Sequence, residues 1–335
     1  MLISIAQLIG GFILLVWGAD RLVAGGSALA RNLGVSPLII GLTIIAFGTS
    51  APELVVSGVA AYQGNAGLAV GNAIGSNIAN IGLILGLTAI IYPLRVESET
   101  LKREYPLLML IMITCLIMAS DLIFDRTEGW LLLAGLVALV LWMIQYGMKR
   151  APGDPLADDF DAEIPKDMPT GHAVMWLMVG MVILPLSSKF LVDGAIFIAR
   201  SLEVSEVVIG LTIMAFGTSL PELAAALTSA LRQEDELAIG NVIGSNMFNI
   251  LGVLGIAATI QPVNVDMLMP KQDFPVMFLF TMLLFFMAYG IQGPGRISRR
   301  SGFLLLSLFL GYQVLIWVTA SRVGASPVAL SLIHI

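Results

Sequence analysis

The stretch GLTIIAFGTSAPEL, residues 41–54, sets a glutamate directly behind a proline in an otherwise apolar segment. It recurs as GLTIMAFGTSLPEL at residues 210–223. Shifting the chain by 169 positions aligns 41–86 with 210–255 without a gap, and about half of those positions are identical. A weaker match upstream pairs ADRLVAGGSALARNLGVS (19–36) with SKFLVDGAIFIARSLEVS (188–205), so the repeated unit is half the chain rather than one motif.

The composition says which solvent these halves face. Of 335 residues, 58% are hydrophobic and 12% charged, with a mean hydropathy of +0.93. These values belong to an integral membrane protein. With about 20 apolar residues needed per span, ten helical segments are expected, near 5–31, 36–62, 67–93, 105–121, 129–147, 172–200, 206–231, 237–261, 273–291 and 302–320. Five spans per half is an odd number, so the second half enters the membrane from the opposite side. The expected fold is an all-α membrane protein of two inverted five-helix repeats: 1–147 with its motif region 41–86, and 172–335 with 210–255. The joining segment 148–171, MKRAPGDPLADDFDAEIPKDMPTG, is rich in Asp and Pro and reads as a solvated linker. It lacks the D-x-D-x-D-G spacing of a calcium loop.

An intramembrane carboxylate is costly unless partnered, and one repeated at the same motif position marks a functional site. Pro52 has no N–H to offer the carbonyl of Gly48, nor Pro221 that of Gly217. Each motif therefore reads as a broken helix whose freed carbonyls line a cavity. Thr49 and Ser50 lie one turn before Glu53, as Thr218 and Ser219 do before Glu222, so hydroxyl and carboxylate oxygens share a face. The next segments, GNAIGSNIANIGLILG and GNVIGSNMFNILGVLG, put Asn72, Ser76 and Asn80 on one stripe and Asn241, Ser245 and Asn249 on its counterpart. Glycine-mediated packing with the amides as interhelical glue explains Asn72 and Asn241 equally well. Without His or Cys, this oxygen-only set favours Na⁺, Ca²⁺ or Mg²⁺ over zinc or copper.

Other features read as structural. Lys189 and Asp193 have i,i+4 spacing and Asp20 neighbours Arg21, the pattern of local ion pairs or snorkelling. The single Cys115 excludes an intramolecular disulfide and is expected buried. No basic patch points to nucleic acid, and no hydroxyl has a basic partner for hydrolysis.

The doubled pattern GxTxxAxGTSxPE followed by GNxxGSNxxN resembles that of the Ca²⁺/cation antiporters, specifically the bacterial inner-membrane sodium/calcium exchanger-like proteins, over nearly the whole chain. The resemblance implies ion sites between the second, third, seventh and eighth helices. Glu53 and Glu222 would be the shared carboxylates for the transported ions Ca²⁺ and Na⁺. Ala46, Thr49, Ser50, Ala215, Thr218 and Ser219 would be backbone or hydroxyl ligands, and Ser76, Asn80 and Ser245 would complete the sites. Asn249 departs from the acid that many relatives carry there, which bears on potassium dependence and sodium stoichiometry.

Loop charges set the expected orientation. Eleven Lys and Arg lie on the side of the 148–171 linker and four on the other, which places the linker in the cytoplasm and both termini outside it. The expected function is a secondary antiporter of the cytoplasmic membrane and not an enzyme. It needs no cofactor beyond its transported ions and no obligatory protein partner. Ca²⁺/H⁺ exchange is the alternative, and a passive cation channel is disfavoured because it would use rings of acids about an oligomeric axis.

Overall fold

The computed structural model describes residues 2–64, 66–96, 98–149, 168–202, 215–265, 269–289 and 295–323. Most of the linker (150–167), the stretch 203–214 with the first five residues of the second motif, and the tail from 324 lie outside the described residues.

Helix α1 (Leu2–Leu33) leads through the short α2 (Pro37–Ile40), a π-helical turn (Gly41–Ile45) and α3 (Ala46–Thr49) into α4 (Ala51–Tyr62). Then α5 (Ala66–Ala79) continues through a second π turn (Asn80–Leu85) into α6 (Gly86–Ile91), followed by β1 (Leu94–Val96), α7 (Ser98–Met118), β2 (Ile123–Phe124) and α8 (Arg126–Lys149). Beyond the linker come α9 (Thr170–Ser201), α10 (Ala215–Thr218), α11 (Leu220–Leu231) and α12 (Asp235–Phe248). A π turn (Asn249–Leu254), α13 (Gly255–Ile260), β3 (Val263–Asn264), α14 (Phe274–Ala288), β4 (Gly295–Ile297) and α15 (Arg299–Val323) complete the order.

Among the described residues, seven helical stretches are long and apolar enough to cross a membrane. They become eight when Pro37–Thr49 and Ala51–Tyr62, which meet at 45°, are taken as one span. Leu220–Leu231, the described part of the segment expected at 206–231, is a shorter apolar helix. The segment expected at 302–320 is helical, within α15, but is not among the seven.

Glycine decides where backbones meet. Gly11, Gly18 and Gly25, spaced by seven, share one face of α1, and Cβ atoms there would come within 2.9 Å of Leu191, 2.8 Å of Ile183 and 2.6 Å of Leu177 on α9. The partner numbers fall as those on α1 rise, so α1 and α9 run antiparallel in close contact. A second glycine seam joins the first π turn to α12, where a Cβ at Gly244 would lie 2.5 Å from the carbonyl oxygen of Leu42. No side chain fits between these two backbones.

Two short antiparallel ladders, absent from the sequence expectations, tie loops together: Leu94, Arg95 and Val96 pair with Ile297, Arg296 and Gly295, and Ile123 and Phe124 with Asn264 and Val263. Two or three residues in a loop carry too little period-2 pattern to announce a strand. The larger hydrophobic cluster draws on α5–α8 and on α12–α15, the smaller on α1 and α9 with their neighbours. Both clusters therefore span the linker. Cys115 is buried and unpaired in the larger one.

Candidate functional site

Both motifs are broken where proline requires it. Ser50 (φ −84°, ψ 4°) and Ser219 (φ −88°, ψ 3°) stand outside helical geometry, and Ala51–Pro52 and Leu220–Pro221 open the following helices. Proline is tolerated there because the first turn has no intrahelical acceptor for its missing N–H. The carbonyl of Gly217, which Pro221 cannot reach, accepts a 2.6 Å hydrogen bond from Ser188 Oγ on α9. A side chain satisfies that carbonyl.

Glu53 and Glu222 enter in the first turns of α4 and α11, and each is only 2% exposed. They are close enough to interact electrostatically. Ser50 Oγ donates to Glu222 Oε1 at 3.3 Å, while Oε2 of Glu222 and Oε2 of Glu53 are buried without a hydrogen-bond partner among the described residues. Thr49 Oγ1 donates to Asn241 Oδ1 at 3.0 Å and lies 3.4 Å from Ser245 Oγ. Asn241 Nδ2 donates in turn to the carbonyl of Glu222 at 3.3 Å. These bonds join Thr49, Ser50, Glu222, Asn241 and Ser245 across the two halves.

The counterpart residues are arranged differently. Thr218 Oγ1 is buried and has no partner among the described residues. Asn72 donates to Ser57 Oγ at 2.9 Å and its Oδ1 faces Ser76 Oγ at 3.4 Å. A cavity of about 520 Å³ opens here, lined by Pro52, Leu68, Asn72, Lys189, Asp193 and Thr218 among others. Ser219 is buried, Ala46 lies in α3 and Ala215 opens α10. Asn80 and Asn249 each begin a π turn, a distortion that often accompanies function. Their amide nitrogens point to asparagines that the sequence reading passed over: Asn80 Nδ2 donates to Asn246 Oδ1 at 3.0 Å and Asn249 Nδ2 to Asn77 Oδ1 at 3.2 Å. The signal was the doubled GSN, whose asparagine lies off the stripe of Asn72, Ser76 and Asn80.

The other charges pair as expected or farther afield. Lys189 meets Asp193 at 3.0 Å. Asp20 lies 3.8 Å from Arg21 but pairs chiefly with Arg232, 212 positions away, while Arg21 stacks over Trp176 at 4.8 Å. Among the described residues no group of three or more His, Cys, Asp or Glu is arranged to hold a metal ion. Any cation here would meet two carboxylates and a shell of neutral oxygens.

The model of the family described as sodium/calcium exchanger protein matches residues 3–148 and 172–318. The chain is 47% identical to the putative antiporter CaxA of Alkalimonas amylolytica, over 95% of its own length and 99% of that protein. It is 38% identical to the inner membrane protein YrbG of Escherichia coli K12, over 95% and 98%. A solved structure of the sodium-calcium exchanger NCX_Mj, soaked with 10 mM Na⁺ and 10 mM Sr²⁺, matches with a TM-score of 0.78 at 34% identity, covering 92% of this chain and 97% of that one. The chain belongs to the sodium/calcium exchanger family, a membrane family of antiporters.

Proposed function

We propose that this protein exchanges Ca²⁺ for Na⁺ across the cytoplasmic membrane by alternating access. The carrying observation is the pair Glu53 and Glu222, each 2% exposed and each with one buried carboxylate oxygen lacking a hydrogen-bond partner among the described residues. Two such charges in the membrane call for counter-charge. One Ca²⁺ or two Na⁺ balances them, so the ions compete for the same oxygens and only a neutralised site crosses between states. Thr49, Ser50, Ser76, Asn80, Ala46 and their counterparts Thr218, Ser219, Ser245, Asn249 and Ala215 supply the neutral ligands. The ions are substrates, and no resident cofactor or nucleic acid enters the cycle.

The architecture for this function is ten spans in two inverted halves, with the 148–171 linker cytoplasmic and both termini outside. The antiparallel course of α1 and α9, which open the two halves, supports it, as do the loop charges. The names of the relatives, an antiporter and a sodium-calcium exchanger, support the ion assignment. The test is ⁴⁵Ca²⁺ uptake into proteoliposomes of pure protein with sodium and proton gradients imposed separately. Uptake is expected with outward-directed sodium alone and without potassium, given Asn249. Uptake that follows the proton gradient and ignores sodium overturns the sodium coupling.

A further inference from the structure

Asn77 and Asn246 occupy the same place in the two GSN motifs, 169 positions apart, and both are buried. They face each other directly, since Asn77 Nδ2 donates to the Asn246 carbonyl at 3.2 Å. Around them the amides cross. Asn246 Oδ1 accepts from Asn80 Nδ2 at 3.0 Å, and Asn77 Oδ1 accepts from Asn249 Nδ2 at 3.2 Å. Each GSN asparagine thus holds the terminal asparagine of the opposite motif.

An amide is nearly symmetric in shape but opposite in polarity at its two ends, so what its nitrogen binds decides what its oxygen is free to do. With Nδ2 of Asn249 committed to Asn77, its Oδ1 is left buried and without a partner among the described residues. Flipped, the same side chain would offer N–H groups, which repel a cation. We infer that Asn77 and Asn246 are positioning residues that fix the amides of Asn249 and Asn80 with their oxygens available as ligands. The inference rests on the proposed ion-binding role of those two asparagines. It adds an interlock: each half orients a ligand carried by the other, and neither half completes its set alone.

The test is Ca²⁺-dependent thermal stabilisation of the purified full chain, which reads binding whichever ion drives transport. Asn77→Ala should weaken the apparent Ca²⁺ affinity roughly tenfold, the scale of one hydrogen-bonded ligand. If Asn77 acts through Asn249, adding Asn77→Ala to Asn249→Ala should cost no further affinity, and the same should hold for Asn246→Ala added to Asn80→Ala. Asn77→Asp, neutral in this buried setting, keeps the accepting oxygen and can donate its O–H to the Asn246 carbonyl, so it should stay within about threefold of the parent; it also serves if the alanine variant does not fold. Additive losses in the double variants, or an aspartate variant as weak as alanine, overturn the inference. Sodium-independent transport by a parent that binds Ca²⁺ would revise the proposed exchange and leave this reading standing.

Discussion

Thr49 and Thr218 occupy the same position in two nearly identical motifs, yet they are bonded differently. Thr49 holds Asn241 across the interface, beside a seam where Gly244 and Leu42 bring two backbones together. Thr218 has no partner among the described residues, Asn72 has turned to Ser57, and the cavity lies between them. Sequence contributes to the difference: Ser57 has Ala226 as its counterpart, so Asn241 lacks the neighbour that holds Asn72. Duplicated residues do not imply duplicated geometry. One arrangement is closely packed and the other borders a cavity.

Removing charge from either half is the strongest test of the comparison. Glu53→Gln and Glu222→Gln should each lower sodium-driven ⁴⁵Ca²⁺ flux by at least about 100-fold, since each deletes half the charge facing a divalent ion. A single tolerant position would mean that the halves are not equivalent in function. Thr49→Val and Thr218→Val then ask whether the asymmetry of bonding exists in solution. In ion-free buffer Thr49→Val should lose about 1–2 kcal/mol, visible as a lower Tm, because it strands Asn241 Oδ1. Thr218→Val should lose nothing, and equal losses would show the two sides exchanging freely.

The loops that follow the motif helices extend the contrast. RQEDE at 232–236 has QGNAG at 63–67 as its uncharged counterpart. Both turn through a left-handed residue, Gly64 at φ 86° and Gln233 at φ 62°. The charged copy reaches in several directions: Arg232 to Asp20, Asp235 to the backbone N–H of Arg95, and Glu236 to Ser36 at the start of α2. Asp20→Asn and Arg232→Gln should each slow flux less than about threefold, and the double variant should do no worse than either, as expected of a partly exposed pair acting as a unit.

The smallest effect concerns Glu234. Burial raises its carboxyl above the ordinary 4.5, against the opposing pull of Ser27, Arg31 and Arg232 and with a further push from Asp235. The folded state therefore holds that proton more tightly than the unfolded chain. Its stabilising contribution is full below the ordinary glutamate range and is lost as pH rises through the raised value. Glu234→Gln should flatten the dependence of Tm on pH just above that range, and an unchanged slope would assign the dependence to another group.

What the sequence disclosed was whatever depends on neighbours along the chain. Proline fixed the breaks at Ser50 and Ser219, apolar length marked the seven long membrane-crossing helices among the described residues, and i,i+4 spacing fixed Lys189 with Asp193. What it hid depends on the crossing of distant elements. Asp20 was read with adjacent Arg21, whereas Arg232 is its main partner. The Gly217 carbonyl was read as free, and Ser188 occupies it, in a place where the first half has Ala19. Asn77 and Asn246 carry no charge, so burial cost could not single them out. The doubled GSN marks them, and their mutual contact shows what they do.

Because both hydrophobic clusters draw on segments from either side of the linker, the order of synthesis poses a problem that the finished molecule conceals. Glu53 leaves the ribosome 169 residues before Glu222, and Thr49 leaves it 192 residues before the asparagine it will hold. At about 5–20 residues per second, that interval is on the order of ten to thirty seconds. Throughout it a carboxylate destined for the protein interior lacks every contact that the second half will supply. The nascent first half is therefore an intermediate whose functional centre is incompletely covered until the second half arrives to close over it.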